Sequence, residues 1–289
     1  MTNQYRWVVY PLWATCQVSG YMIVATLGLL LPSISSDLSL SPSQQGLLGS
    51  AAYWGNMVLT LPFALIASQF KPKPLTTITL ALGTICLFLQ GWAPVFSLLI
   101  VGRLAFGISI LAREPARAML IQQWFPAKES VLANGVSNAM FGLIVGSGLI
   151  ITPLMIEANP DWRIVLRIFG IMFSVLTVAW VLLGKERMES KQEVGSSRAR
   201  LLFSSLRHRD LWLGGSGFIG TNFVWSSFLS FYPTMMQDTY GFSLRWSGSI
   251  LAISIMVGGL SGIFLSYIVM TTGKRKTILV VMGTLMTLT

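Results

Sequence analysis

Val131–Ile156 reads VLANGVSNAMFGLIVGSGLIITPLMI and carries no charged side chain. At about 1.5 Å of rise per residue such a helix outspans a hydrocarbon core about 30 Å thick. Lipid offers the backbone no hydrogen-bond partner, so a segment this apolar must be helical there. The chain repeats this pattern on both sides. The other apolar stretches are Val8–Leu31, Leu47–Phe70, Leu75–Trp92, Val95–Leu120, Ile164–Leu183, Leu211–Met236, Trp246–Met270 and a shorter one, Thr277–Thr289. The reading is an all-α polytopic membrane protein. Composition agrees: 53% of residues are hydrophobic and 10% charged, against about 25% charged in soluble domains.

The net charge of +10 does not point to nucleic acid once its placement is considered. With the first span running from inside to outside, the inner segments hold fourteen Lys and Arg residues and the outer ones hold Arg163, Arg167 and Arg245. That asymmetry predicts a cytoplasmic N-terminus in the cell membrane, with basic turns beside anionic lipid heads. The first apolar run is too long for a signal-peptide core and reads as an uncleaved helix. Cys16 and Cys86 read as apolar fillers within spans, and the sole histidine, His208, as an interfacial residue.

The segment 185–210 is the one long polar connection. It divides the chain into a six-helix N-terminal bundle (1–184), a cytoplasmic linker (185–210) and a partial C-terminal bundle (211–289) that holds helices seven, eight and part of nine. The two sides resemble each other at an offset of 202 residues, Ser41 to Ser243. At that offset Gly46 lies over Gly248, and Lys71-Pro72-Lys73 over Gly273-Lys274-Arg275. Ser41 and Ser243 fit as N-caps. Repeated bundles that rock about a site between them are a transporter pattern.

With these features in place, the chain resembles the major facilitator superfamily throughout its length. Arg103-Leu104-Ala105-Phe106-Gly107 resembles that family's Arg-x-x-x-Gly, Trp124-Phe125-Pro126 its Trp-Phe-Pro, and Asp161-Trp162-Arg163 its Trp-Arg. The resemblance implies twelve helices and a charge latch in the loop between helices two and three. Here that loop keeps Lys71 and Lys73 but has Ser68 and Gln69 where Asp and Arg are expected, and the second copy, Gly273, Lys274 and Arg275, follows Met270. The resemblance also expects three further helices beyond Thr289, so the chain reads as truncated or as a fragment.

The fourth span holds Arg103, Arg113, Glu114 and Arg117. Each charge costs about 2.5–3.5 kcal/mol at mid-membrane, so these residues should face a cavity or one another. They are the leading substrate or coupling candidates, with Glu114 the one acid placed to carry a coupling proton. Gln17 and Tyr21 in the first span and Asn222 and Trp225 in the seventh are further substrate contacts. Gly215–Gly220 matches Gly-x-Gly-x-x-Gly but lies inside a helix, where packing explains it. No catalytic, metal-binding or cofactor pattern is found, so an enzyme is not expected. The expected function is secondary active transport of a small solute, an anion given the excess of arginine, by alternating access. A truncated, non-transporting or regulatory relative of such a transporter is the alternative. The expected partners are the solute, a coupling proton or ion, and lipid, around a monomer.

Overall fold

The computed structural model describes residues 3–67, 71–111, 113–126, 129–185 and 208–273, and five positions between 277 and 284. Among these residues it is helical throughout, with no strand. A short 3₁₀ turn leads into α1 (Arg6–Leu38). There follow α2 (Pro42–Ala67), α3 (Pro72–Gly91), α4 (Phe96–Ser109), α5 (Arg113–Trp124), α6 (Ser130–Ala158), α7 (Trp162–Leu183), α8 (Arg209–Tyr240) and α9 (Leu244–Thr272). The helices α1, α3, α6, α7 and α9 are each long and apolar enough to cross a bilayer. The fourth apolar stretch, read as one span, is two helices: α4 ends at Ser109 and α5 begins at Arg113. Arg103 therefore lies on a different helix from Arg113, Glu114 and Arg117. Residues 186–207 of the linker, together with Ser68, Lys274 and Arg275, lie outside the described residues, as does most of the ninth stretch.

The helix ends follow their sequences. Ser41 and Gln44 form a reciprocal capping box: Gln44 N donates to Ser41 Oγ (3.3 Å) and Ser41 N to Gln44 Oε1 (2.9 Å). Ser243 Oγ accepts from Trp246 N (3.4 Å) in the matching position at the start of α9. Both caps predicted from the repeat are present. Ser41→Ala should cost about 1 kcal/mol, readable as a lowered melting temperature in detergent. Gly241 and Gly273 stop α8 and α9 at φ 66° and 69°, a region that favours glycine.

The central helix is α1, whose Val9, Tyr10, Trp13, Ala14, Leu29, Leu30 and Ile34 are fully buried. It packs against α6, α7 and α8, while α2 packs on α4, α3 on α7, and α6 along α9. The α6–α9 contact is close because both faces are small. A Cβ on Gly142 would sit 2.8 Å from Gly259 Cα, and one on Gly259 would sit 2.7 Å from Gly142 Cα. Farther along, Pro153 lacks the N–H that would bond the Leu149 carbonyl, and Gly248 of α9 lies against that oxygen. The outward faces remain apolar, as at Ile171, Val175 and Val178 on α7 and Ile253, Val257 and Phe264 on α9. Faces this apolar suit lipid and not water.

Charges gather at the two ends. At one end Arg6 pairs with Glu129 (2.7 Å), Tyr5 donates to the Leu183 carbonyl (2.9 Å), Lys185 Nζ lies 4.5 Å from the Tyr5 ring, and Trp180 donates to the Lys73 carbonyl (3.3 Å). At the other end Arg163 joins Asp37 (2.7 Å) and the Ala93 carbonyl (3.0 Å), and Arg167 reaches Asp161 (3.3 Å). Segments assigned to one side by alternation are thus neighbours in space.

Candidate functional site

The fourth stretch turns its first arginine inward. Arg103 lies in α4, one turn before Gly107, and its exposure is 0%. Gly107 permits this: a Cβ there would overlap the Ala52 carbonyl oxygen, so α2 and α4 touch backbone to backbone. Arg103 reaches α1, where its terminal nitrogens donate to the carbonyls of Ile23 (3.5 Å) and Val24 (3.2 Å). These bonds are at the long end of the useful range, and Nε has no partner. The guanidinium also lies 6.0 Å from the Phe106 ring. Among the described residues no carboxylate pairs with it. A buried cation so thinly compensated is costly and has donors to spare for an anion.

Tyr53 on α2 stands beside it. It lies within electrostatic reach of Arg103 and of Tyr21 on α1, and within hydrogen-bonding reach of Ser226 and Ser230 on α8. A second line of contacts crosses the same level: Tyr21 meets Phe141 of α6 edge-on at 5.9 Å, and Phe141 meets Trp225 of α8 at 6.4 Å. Ser226 donates to the Asn222 carbonyl. The structure thus brings Tyr21, Arg103, Trp225 and Ser226 into one region between α1, α2, α4, α6 and α8. Gln17 is buried with Nε2 unbonded, one turn from Tyr21 along α1. Asn222 is exposed.

Reading the sequence alone missed Tyr53 and Phe141. Their signal was a phenol in an apolar run and a large ring among glycines, neither of which stands out without its neighbours.

The other candidates are dispersed. The side chains of Arg113 and Glu114 lie outside the described residues. Arg117, half-buried, lines a separate cavity with Ser130 and Asn134. Lys71 holds the N-cap position of α3, followed by Pro72 and Lys73 in its first turn, and Gly273 is the left-handed stop of α9. Among the described residues no cluster of His, Cys, Asp and Glu could hold a metal ion, and both cysteines are buried thiols.

The sequence profile of the Major Facilitator Superfamily matches residues 13–289. This chain belongs to that family. Among its relatives are the "Probable galactarate/D-glucarate transporter GarP" of Escherichia coli K12, 27% identical over 86% of this chain and 64% of the relative. The "Hexuronate transporter" of Bacillus subtilis is 26% identical over 91% of this chain and 64% of the relative. The "Uncharacterized transporter YybO" of Bacillus subtilis is 21% identical over 89% and 63%. The chain thus spans slightly under two thirds of the curated relatives it matches. Its fold is similar to that of a bacterial homologue of the human lysosomal transporter Spinster, inward-facing and unoccupied. The TM-score is 0.72 and the identity 17%, covering 89% of this chain and 61% of that one. A multi-pass membrane protein of the major facilitator type, related to transporters and not to enzymes, is the resulting identity.

Proposed function

We propose that this protein carries a small organic anion, a sugar acid foremost, across the membrane by secondary active transport. The observation that carries this reading is Arg103: fully buried, bonded only to carbonyls at 3.2–3.5 Å, and without an acidic partner among the described residues. Several relatives carry the names of sugar-acid transporters, two of them as "probable" ones, which supports the same class of solute.

In this reading the halves are a six-helix bundle (1–184) and a second bundle beginning at 211, joined by the linker 185–210. The N-terminus is cytoplasmic, as the fourteen-to-three bias of basic residues suggests. An entering carboxylate pairs with the Arg103 fork, offsetting the cost of the buried charge. Tyr53 stands between that arginine in the first half and Ser226 and Ser230 in the second. A solute that engages Arg103 and Tyr53 together therefore binds one arrangement of the halves better than the other, and only such a difference shifts their equilibrium. Glu114 is the candidate for a coupling proton.

Counterflow in proteoliposomes tests the solute class. Labelled D-glucarate should exchange, and hexuronates should compete while neutral hexoses do not. Equal competition by glucose would overturn the proposal.

A further inference from the structure

The two polar faces left over at the other end of α5 meet in a crotch. Arg117, Ile121, Gln122 and Phe125 share one side of the segment, and Ser130 and Asn134 share one side of the first turns of α6. Together they line a cavity of about 490 Å³. That size suits a small organic acid or a phosphate head. Its floor is held rigidly: the Phe125 ring meets Tyr10 at 5.1 Å and Trp7 at 5.6 Å, both edge-on, with Arg6 5.3 Å away. Its wall is also held, because Asn134 Nδ2 donates to the Ser130 carbonyl (2.8 Å). The neighbouring carboxylate, Glu129, is occupied by Arg6 at 2.7 Å, so it does little to repel an anion. Arg117 has five N–H donors in a planar fork, enough to serve an oxyanion alongside another partner.

We propose that this crotch is a second oxyanion-binding site, separate from Arg103, at the end of the molecule that bears Arg6, Lys73 and Lys185. Arg103 is not among the residues that line the crotch; it belongs to α4, before the break that precedes α5, and is buried against α1. A carboxylate or phosphate in the crotch lies against the guanidinium and the two α6 side chains, with Ile121 and Phe125 beneath its carbon skeleton. That the soluble anion held here is the transported one rests on the function proposed above; the site itself does not.

Phenylglyoxal modification tests it, because the reagent reads each guanidinium directly and does not depend on transport. The full chain in phosphatidylcholine nanodiscs is treated with the reagent, and modification of Arg117 is followed by peptide mass spectrometry. The arms contain D-glucarate, inorganic phosphate, or phosphatidylglycerol in the disc. At a ligand concentration about ten times its Kd only about a tenth of sites stay free, so Arg117 should react about tenfold more slowly. Protection by glucarate or phosphate supports a site for a soluble anion, and protection by phosphatidylglycerol alone supports the same site filled by a lipid head. Asn134→Leu should weaken the protection, and Arg103→Leu should leave it intact even if transport of sugar acids is never found. The proposal is overturned if Arg117 reacts equally in every arm or not at all. It is also overturned if protection is undiminished in Asn134→Leu or lost in Arg103→Leu.

Discussion

Replacing Arg103 by leucine is expected to abolish sugar-acid transport while leaving the protein at least as stable as before. The two effects separate because the arginine is poorly served in the empty protein. Its bonds to Ile23 and Val24 are 3.2–3.5 Å long and Nε has no partner. Removing a buried charge that no carboxylate pairs with also removes its desolvation penalty, several kcal/mol per ion, so the exchange for an apolar group should not lower the stability of the fold. The solute's carboxylate, in contrast, loses a bidentate partner. With hydrogen bonds to charged groups worth about 1.5–3 kcal/mol each, two of them amount to a loss of about a hundredfold or more in apparent affinity. Uptake kinetics and a melting curve on the same preparation check both halves of this expectation. Arg103→Lys should recover only part of the transport, since an ammonium is a point charge without the planar fork. Undiminished uptake by Arg103→Leu would remove the arginine from the mechanism. A large drop in melting temperature would show that it holds the helices together.

The second large effect is expected from one added methyl group. Gly107→Ala places a Cβ over the Ala52 carbonyl oxygen, 2.9 Å from the carbonyl carbon and 3.0 Å from Cα of the same residue. All three atoms are backbone, so no side chain can swing away, and α2 must part from α4. Overpacking of this kind costs about 1–3 kcal/mol, occasionally more. The separation also shifts Arg103, one turn away on α4, and Tyr53, the residue after Ala52. Transport should therefore fall together with the melting temperature. Gly215→Ala and Gly220→Ala provide the contrast. Nothing lies within 4 Å of a Cβ at either position, and both sit in the helix α8, where alanine is preferred over glycine by about 1 kcal/mol. These two variants should melt at or above the parent temperature. If Gly107→Ala behaved like them, the close approach of α2 and α4 would be wrong.

Much of this architecture was legible in the chain because it depends on local chemistry. Ser41 with Gln44, and Ser243 before Trp246, announce helix starts through atoms three residues apart, and both caps are found. The apolar lengths announce helices because lipid leaves the backbone no alternative. The break after Ser109 was not read from the chain, although Arg113, Glu114 and Pro115 follow it closely and a proline disfavours an unbroken helix through the residues before it. The relation of Arg103 to Tyr53 was hidden, since it spans two helices whose separation depends on what Gly107 meets.

Residue order by itself determined that this is a bundle of apolar helices of membrane-spanning length, where two of them start, and which turns share a side. Those properties follow from hydropathy, helix rise and capping, which act within a few residues. Only the packed molecule decided that Arg103 is buried against the α1 carbonyls, that Tyr53 stands beside it, and that Arg117 belongs to a different cavity. The reason is geometric: the angle and depth at which helices meet depend on small residues such as Gly107, Gly142 and Gly259, and each acts through a partner far away in the chain.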